Sequence, residues 1–112
     1  MKTEQLSLLA NAMQAYTWRT QALTSNIANL DTPGYQRLSV TFEETLQDAR
    51  SAIPGLRDAS DVRPTMEIAE TPPILEDELM ELADTQMRTQ LVTRALREHF
   101  DLERIGITGR AG

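Results

Sequence analysis

Between residues 5 and 28 the apolar positions Leu6, Leu9, Met13, Tyr16, Leu23 and Ile27 recur at steps of three and four, with Thr20 filling the one gap. This period predicts an amphipathic helix of about 24 residues, roughly 36 Å long at 1.5 Å per residue. Leu8, Ala12, Ala15, Trp18 and Ala22 fall beside the seam, so the apolar surface is wider than one partner helix needs. The pattern breaks at Ser25-Asn26-Ile27-Ala28-Asn29-Leu30-Asp31-Thr32-Pro33-Gly34-Tyr35. Asn29 tolerates the left-handed conformation at a helix end, Asp31 can fold its carboxylate onto the backbone two residues on, and Pro33 cannot continue a helix. Thr32 is pushed towards extended geometry by the following proline, and Pro33-Gly34 fits the centre of a type II turn, with Gly34 at positive φ. The helix is expected to stop near Asn29 and to present Tyr35 on a stiff corner.

Leu38 to Phe42 alternates as a short extended segment does, and Thr41-Phe42-Glu43-Glu44 has the spacing of a capping box. Phe42, Leu46, Ala49 and Ile53 then step at helical intervals, which predicts a short helix ended by Pro54-Gly55. From there to Pro73 the chain holds every proline except Pro33 and shows little apolar period. This stretch predicts a loop or linker, with an extended piece around Thr65 to Ala69. A second long helix is predicted to begin after Pro73, with Glu76, Asp77, Glu78 and Glu81 in its first turns, where the helix dipole favours acids. Leu75, Leu79 and Leu82 open a seam that continues through Gln86, Thr89 and Thr93 to Leu96 and Phe100, and Met80, Ala83, Met87, Leu91 and Ala95 form a second stripe. Gly106 is the expected end. Two stripes on one helix suit a helix with more than one neighbour.

The resulting fold class is all-α: two long antiparallel N- and C-terminal helices in a coiled-coil-like hairpin, joined by a short irregular or extended middle segment. The divisions fall at 1–30, 31–73 and 74–112. Leu9, Met13, Tyr16, Leu23 and Ile27 are expected against Leu79, Leu82, Leu96 and Phe100, while Met87 and Leu91 are left for assembly contacts. A lone hairpin of this kind has a thin core, so the free subunit is expected to be partly disordered and to lock on its neighbours.

Composition narrows the chemistry. Lys and Arg number 11 against 17 Asp and Glu, a net charge of −6, and no basic run tracks a phosphate backbone, which argues against nucleic acid. With no cysteine there is no disulfide framework and no thiolate chemistry. No run has membrane-spanning length. The start of the chain, with Asn11, Gln14 and Arg19 in place of an apolar core, is not expected to be a cleaved signal peptide, so export would need a dedicated machine. The single His99, beside Glu98 and Phe100, is a weak match to a phosphotransfer site, because such bundles need four helices. Glu43-Glu44 and Glu76-Asp77-Glu78 read as N-terminal helix charges, with no His at metal-ligand spacing and no Gly-rich phosphate loop. The expectation is no enzyme, no metal and no cofactor.

Asn26-Ile27-Ala28-Asn29 followed by Thr32-Pro33-Gly34-Tyr35, at the end of a Leu/Ala/Met-rich helix, resembles the N-terminal signature of the bacterial flagellar axial proteins, the rod, hook and hook-associated subunits. Leu30 departs from the small residue usual there. The run from Glu78 to Gln90 resembles the C-terminal helix of the FlgB family of basal-body rod proteins, with its acidic start, Glu-Leu-Ala core and Gln/Arg-rich continuation. The sibling FlgC carries Asn and Met where this chain has Leu and Ala. The resemblance spans about residues 5–42 and 74–105.

What the resemblance implies is a structural subunit of the proximal rod, with its terminal helices in the inner layer of a helical tube that transmits torque. The implied partners are copies of itself, the rod proteins FlgC, FlgF and FlgG, FliE, the membrane-ring base and the flagellar export apparatus. The implied location is the basal body within the periplasm. Asn26, Asn29, Asp31 and Tyr35 would fix the turn and could hydrogen-bond between subunits. The alternatives are a stand-alone helical interaction module, which predicts a closed dimer in place of an open assembly, or another axial subunit such as FlgC.

Overall fold

The computed structural model describes residues 3–51 and 61–108. Helix α1 spans Thr3–Ala28, strand β1 Leu38–Thr41, helix α2 Glu43–Ser51, strand β2 Thr65–Ile68 and helix α3 Leu75–Thr108. α1 and α3 pack antiparallel, tied by the Asn26 to Glu78 contact at one end and with buried Asn11 and His99 towards the other. β1 and β2 form an antiparallel pair in the register Leu38↔Ile68, Ser39↔Glu67, Val40↔Met66 and Thr41↔Thr65. The molecule is only 15 Å through its shortest axis, so each long helix keeps one face open.

The middle segment is more ordered than a linker. The extended pieces around residues 38–42 and 65–69 pair with each other, which adds a two-stranded sheet to the expected all-α hairpin. Val40, Phe42 and Val62 are buried against Ala12, Ala15, Tyr16 and Ala22 of α1, with Leu8, Trp18, Leu38, Leu46 and Val92 around them. Val62, fully buried in a proline-rich stretch, fills core volume that periodicity gives no sign of. Thr41 closes β1, and α2 starts at Glu43 with Leu46 N–H donating to the Phe42 carbonyl at 2.8 Å, so the expected capping box does not form. The expected helix end at Ile53 lies outside the described residues. α3 continues through Gly106 to Thr108.

The seam between the long helices also differs from the expected one. On α1 the most buried positions are Ala12, Ala15, Ala22, Leu23, Tyr16, Asn11 and Asn26, while Leu9, Met13 and Ile27 are half-buried. On α3 the inward line is Glu78, Leu82, Thr85, Thr89, Val92, Leu96 and His99, alternating steps of four and three. Leu79 and Phe100, expected against α1, are 48% and 57% exposed. The physical reason is that the α1 alanines pack in one core with Val40, Phe42 and Val62, while the buried start of α3 is taken by Glu78, which Asn26 and Arg37 partner. Within the helix, the Thr89 and Thr93 hydroxyls are satisfied by donating to the carbonyls of Thr85 and Thr89 at 2.8 and 2.7 Å.

Candidate functional site

The segment after α1 turns twice within eight residues. Asn29 N–H bonds to the Ser25 and Asn26 carbonyls at 3.1 and 3.3 Å, and its side-chain amide donates to the Ser25 carbonyl at 2.8 Å, so one residue satisfies the end of the helix. Its backbone is not left-handed; among the described residues only Gly34 has positive φ, at 77°. Thr32, and not Asp31, folds back, its hydroxyl donating to Asn29 Oδ1 at 3.0 Å. Tyr35 N–H then closes onto the Thr32 carbonyl at 3.2 Å, with Pro33 and Gly34 at the centre of the turn. Asp31, Thr32, Pro33 and Gly34 are exposed, as is Ala28, whereas Ser25, Ile27, Asn29 and Tyr35 are half-buried.

This double turn brings β1 back alongside α1, and Asn26 receives it. Asn26 is fully buried, and its amide accepts from Leu38 N–H at 2.9 Å and donates to the Leu38 carbonyl at 2.8 Å, as a neighbouring strand would. Those two bonds fix which side of the amide carries oxygen. The second Nδ2 proton goes to Glu78 Oε2 at 3.1 Å, and the second Oδ1 lone pair accepts from the Tyr35 hydroxyl at 3.0 Å. Every hydrogen-bonding position of the side chain is used within the subunit, so a bond from Asn26 to a neighbour would have to replace one of these. Because the Tyr35 proton is given to Asn26, the 2.9 Å contact between Ser25 Oγ and Tyr35 Oη must be donated by Ser25.

Glu78, one of four acids at the start of α3, is the one that is fully buried. Its Oε1 accepts from Arg37 Nε, and Arg37 Nη2 reaches on to Glu81 Oε2 at 2.9 Å. Burial works against the Arg37 charge, but the Glu78 and Glu81 carboxylates outweigh it and raise its pKa above the usual arginine value. Sequence reasoning singled out Asn26 and Tyr35 but missed Glu78 and Arg37. The only available signal was that Glu78 begins the four-three series continued by Leu82, Thr85 and Thr89.

About two turns back along α1 from Asn26, Arg19 forks onto Glu43 at 2.9 and 2.7 Å and donates to the Val40 carbonyl at 2.9 Å. Arg88 of α3 reaches Glu43 at 3.1 Å and Asp84 at 2.8 Å. Burial opposes the Glu43 charge, yet the Arg19 fork, a backbone N–H and Arg88 together hold its carboxyl below the usual range. Burial raises the Tyr16 phenol, with the Arg19 guanidinium 5.6 Å from the ring centre. Asn26 and Arg19 thus cover the edge of β1 that β2 leaves open. An open groove of about 410 Å³ runs beside them, lined by these arginines, by Glu43, Glu81 and Asp84, and by Thr85. Its charges are largely paired internally.

The remaining sequence-selected residues divide by face. Tyr16 and Leu23 are in the core, Leu82 and Leu96 are half-buried on the seam, and Met87 and Leu91 are 55% and 56% exposed. His99 is 5% exposed, edge-on to Phe100 at 5.3 Å, and its ring is too enclosed for phosphotransfer. Among the described residues no group of three or more His, Cys, Asp and Glu side chains could hold a metal, and no helix is long and apolar enough to cross a membrane.

Residues 6–36 match the family model described as Flagella basal body rod protein. The matched span runs from the second turn of α1 through the Thr-Pro-Gly-Tyr corner, and it contains Asn26, Asn29 and Tyr35. No curated protein matches the chain. The match supports a structural role in the flagellar basal-body rod.

Proposed function

We propose that the chain is a FlgB-type structural subunit of the proximal rod, assembling through its two long helices with copies of itself and with FlgC, FlgF and FlgG. FliE and the membrane-ring base are further partners on this reading, and the flagellar export apparatus delivers it to the periplasmic side. The observation that carries the proposal is the rod-protein match over residues 6–36, which coincides with a corner fully satisfied inside the subunit. Torque transmission needs a stiff joint between helix and outer segment, and four hydrogen bonds to one buried amide supply it.

The open faces fit the same role. α1 carries only Glu4 and Arg19 as charges, and Arg19 is turned inward onto Glu43. Its outward line, Ala10, Gln14, Thr17, Gln21, Thr24 and Ala28, is exposed and uncharged. A helix face meant for water usually carries charges; a neutral line at steps of four and three suits close packing on other helices.

The test is deletion of the gene in the bacterium that encodes it, complementation with a tagged copy, and isolation of hook-basal bodies. Loss of motility and of assembled rods on deletion, with the tagged chain in purified basal bodies, is the expected result. Normal motility without the gene, or basal bodies lacking the chain, overturns the proposal. The FlgB assignment is separated from FlgC by whether a FlgB-null strain alone is rescued.

A further inference from the structure

We propose that α3 pairs with α3 of a second copy, antiparallel about a two-fold axis near residue 85, through the face opposite the α1 seam. That face reads Glu76, Met80, Ala83, Met87, Gln90 and Arg94 at steps of three and four, with Leu79 and Leu91 on its flanks, so its apolar residues are interrupted once by an uncharged amide. Met80, Met87, Leu91 and Leu79 are 72%, 55%, 56% and 48% exposed, and Glu76, Ala83 and Arg94 are exposed as well. Four large apolar side chains open to water on one helix are more than scattered surface hydrophobics.

The order of charge and size along the line selects the occupant. An acid stands at one end, a base at the other, and the apolar residues lie between. Antiparallel pairing centred near residue 85 sets Glu76 opposite the second copy's Arg94, and Ala83 opposite its Met87. Met80 then packs beside the second copy's Leu91. Small meets large, acid meets base, and each contact occurs twice. Parallel pairing would set Glu76 against Glu76 and Arg94 against Arg94. The outward line of α1 offers no charge to either end, so it is the poorer partner for this face. A contact of one helix pair falls towards the small end of specific interfaces, below about 1,200 Å², so the dimer is expected to be weak and concentration-dependent.

Sedimentation velocity on the purified full chain, over roughly 1 to 200 µM, tests this. A monomer–dimer equilibrium is expected. Met87→Asp should weaken it at least about tenfold without loss of helicity, since that side chain is exposed in the monomer. Glu76→Arg and Arg94→Glu should each weaken it, and the double variant should restore it. Because the chain has no cysteine, Ala83→Cys mixed with Met87→Cys should cross-link faster than either variant alone. A monomer throughout the range, a dimer indifferent to Met87→Asp, no restoration by the double variant, or faster cross-linking of the Ala83→Cys variant to itself than to Met87→Cys each overturns the proposal. The dimer is measured on the chain alone, so its failure leaves the rod reading intact, and its presence is separated from the stand-alone module by recovery of the same chain in isolated basal bodies, which that module does not predict. Only one consequence rests on that reading: the dimer covers a face that assembly requires and must open before the subunit is incorporated.

Discussion

Asn26 does at residue scale what a third strand would do for β1, and its energetics follow from having no spare bonding position. Asn26→Asp keeps the shape but converts the donor to an acceptor, so the Leu38 carbonyl loses its proton and a carboxylate faces Glu78. The expected cost is about 3 kcal/mol, read as a lower urea midpoint. Tyr35→Phe removes its bond to an amide still oriented by Leu38 and the one accepted from the half-buried Ser25 hydroxyl, and should cost less, about 1–2 kcal/mol. Equal losses in the two variants would mean that the amide is not the centre of the network. Thr85 supplies a converse case. Its hydroxyl is buried without a hydrogen-bond partner, so Thr85→Val keeps the volume, removes an unsatisfied group, and should raise stability by about 1 kcal/mol in the same assay.

At the scale of elements, Glu43 of α2 is held by Arg19 of α1 and Arg88 of α3, so one carboxylate joins three helices. Its folded pKa is below its unfolded value, near about 4.3. The stability it contributes is therefore complete above that pH and is lost as pH falls through the depressed folded value. Tyr16 works at the other limit. Burial raises its folded pKa, so its contribution is intact below the ordinary phenol value of about 10 and is lost as pH rises through the raised one. Urea midpoints should hold between these limits and fall outside both; Glu43→Gln should flatten the acid side alone. The joint also shows what the sequence could convey about elements. α1 and α3 were legible because long periodic runs set off by Pro33 and Pro73 leave little alternative, although Gly106 does not end α3. Their facing was not, because ranking by hydrophobicity selects Leu79 and Phe100, whereas the most buried positions are Ala12, Ala15 and Ala22 on α1 and Glu78, Thr85 and His99 on α3. The two extended pieces were each visible, but their pairing and the burial of Val62 depend on non-local contacts that no local period records. In the site, Asn26 and Tyr35 stood out by motif; Glu78 looked like any acid at a helix start until its partners were known.

For the whole molecule, the distribution of charge is more informative than its sum. The net charge of −6 belongs mostly to the middle segment and α3, while the outward line of α1 from Ala10 to Ala28 has none. If that line only met water, a charge there would be neutral or favourable to solubility. If it meets other helices in a rod, the same charge would be buried without a partner and would cost several kcal/mol per contact, by desolvation alone. Thr17→Glu and Gln21→Glu separate the two cases, because both positions are exposed and touch nothing needed for folding. Their urea midpoints should stay within about 0.5 kcal/mol of the parent. Incorporation into isolated basal bodies, and with it motility, should be lost. Met87→Asp on α3 supplies the comparison: it should remove both the solution dimer and incorporation, whereas the α1 variants should leave the dimer unchanged. Full motility with Thr17→Glu and Gln21→Glu combined would show that the uncharged line is not an assembly face, and the rod reading would then have to rest on α3 and the Asn26 corner alone.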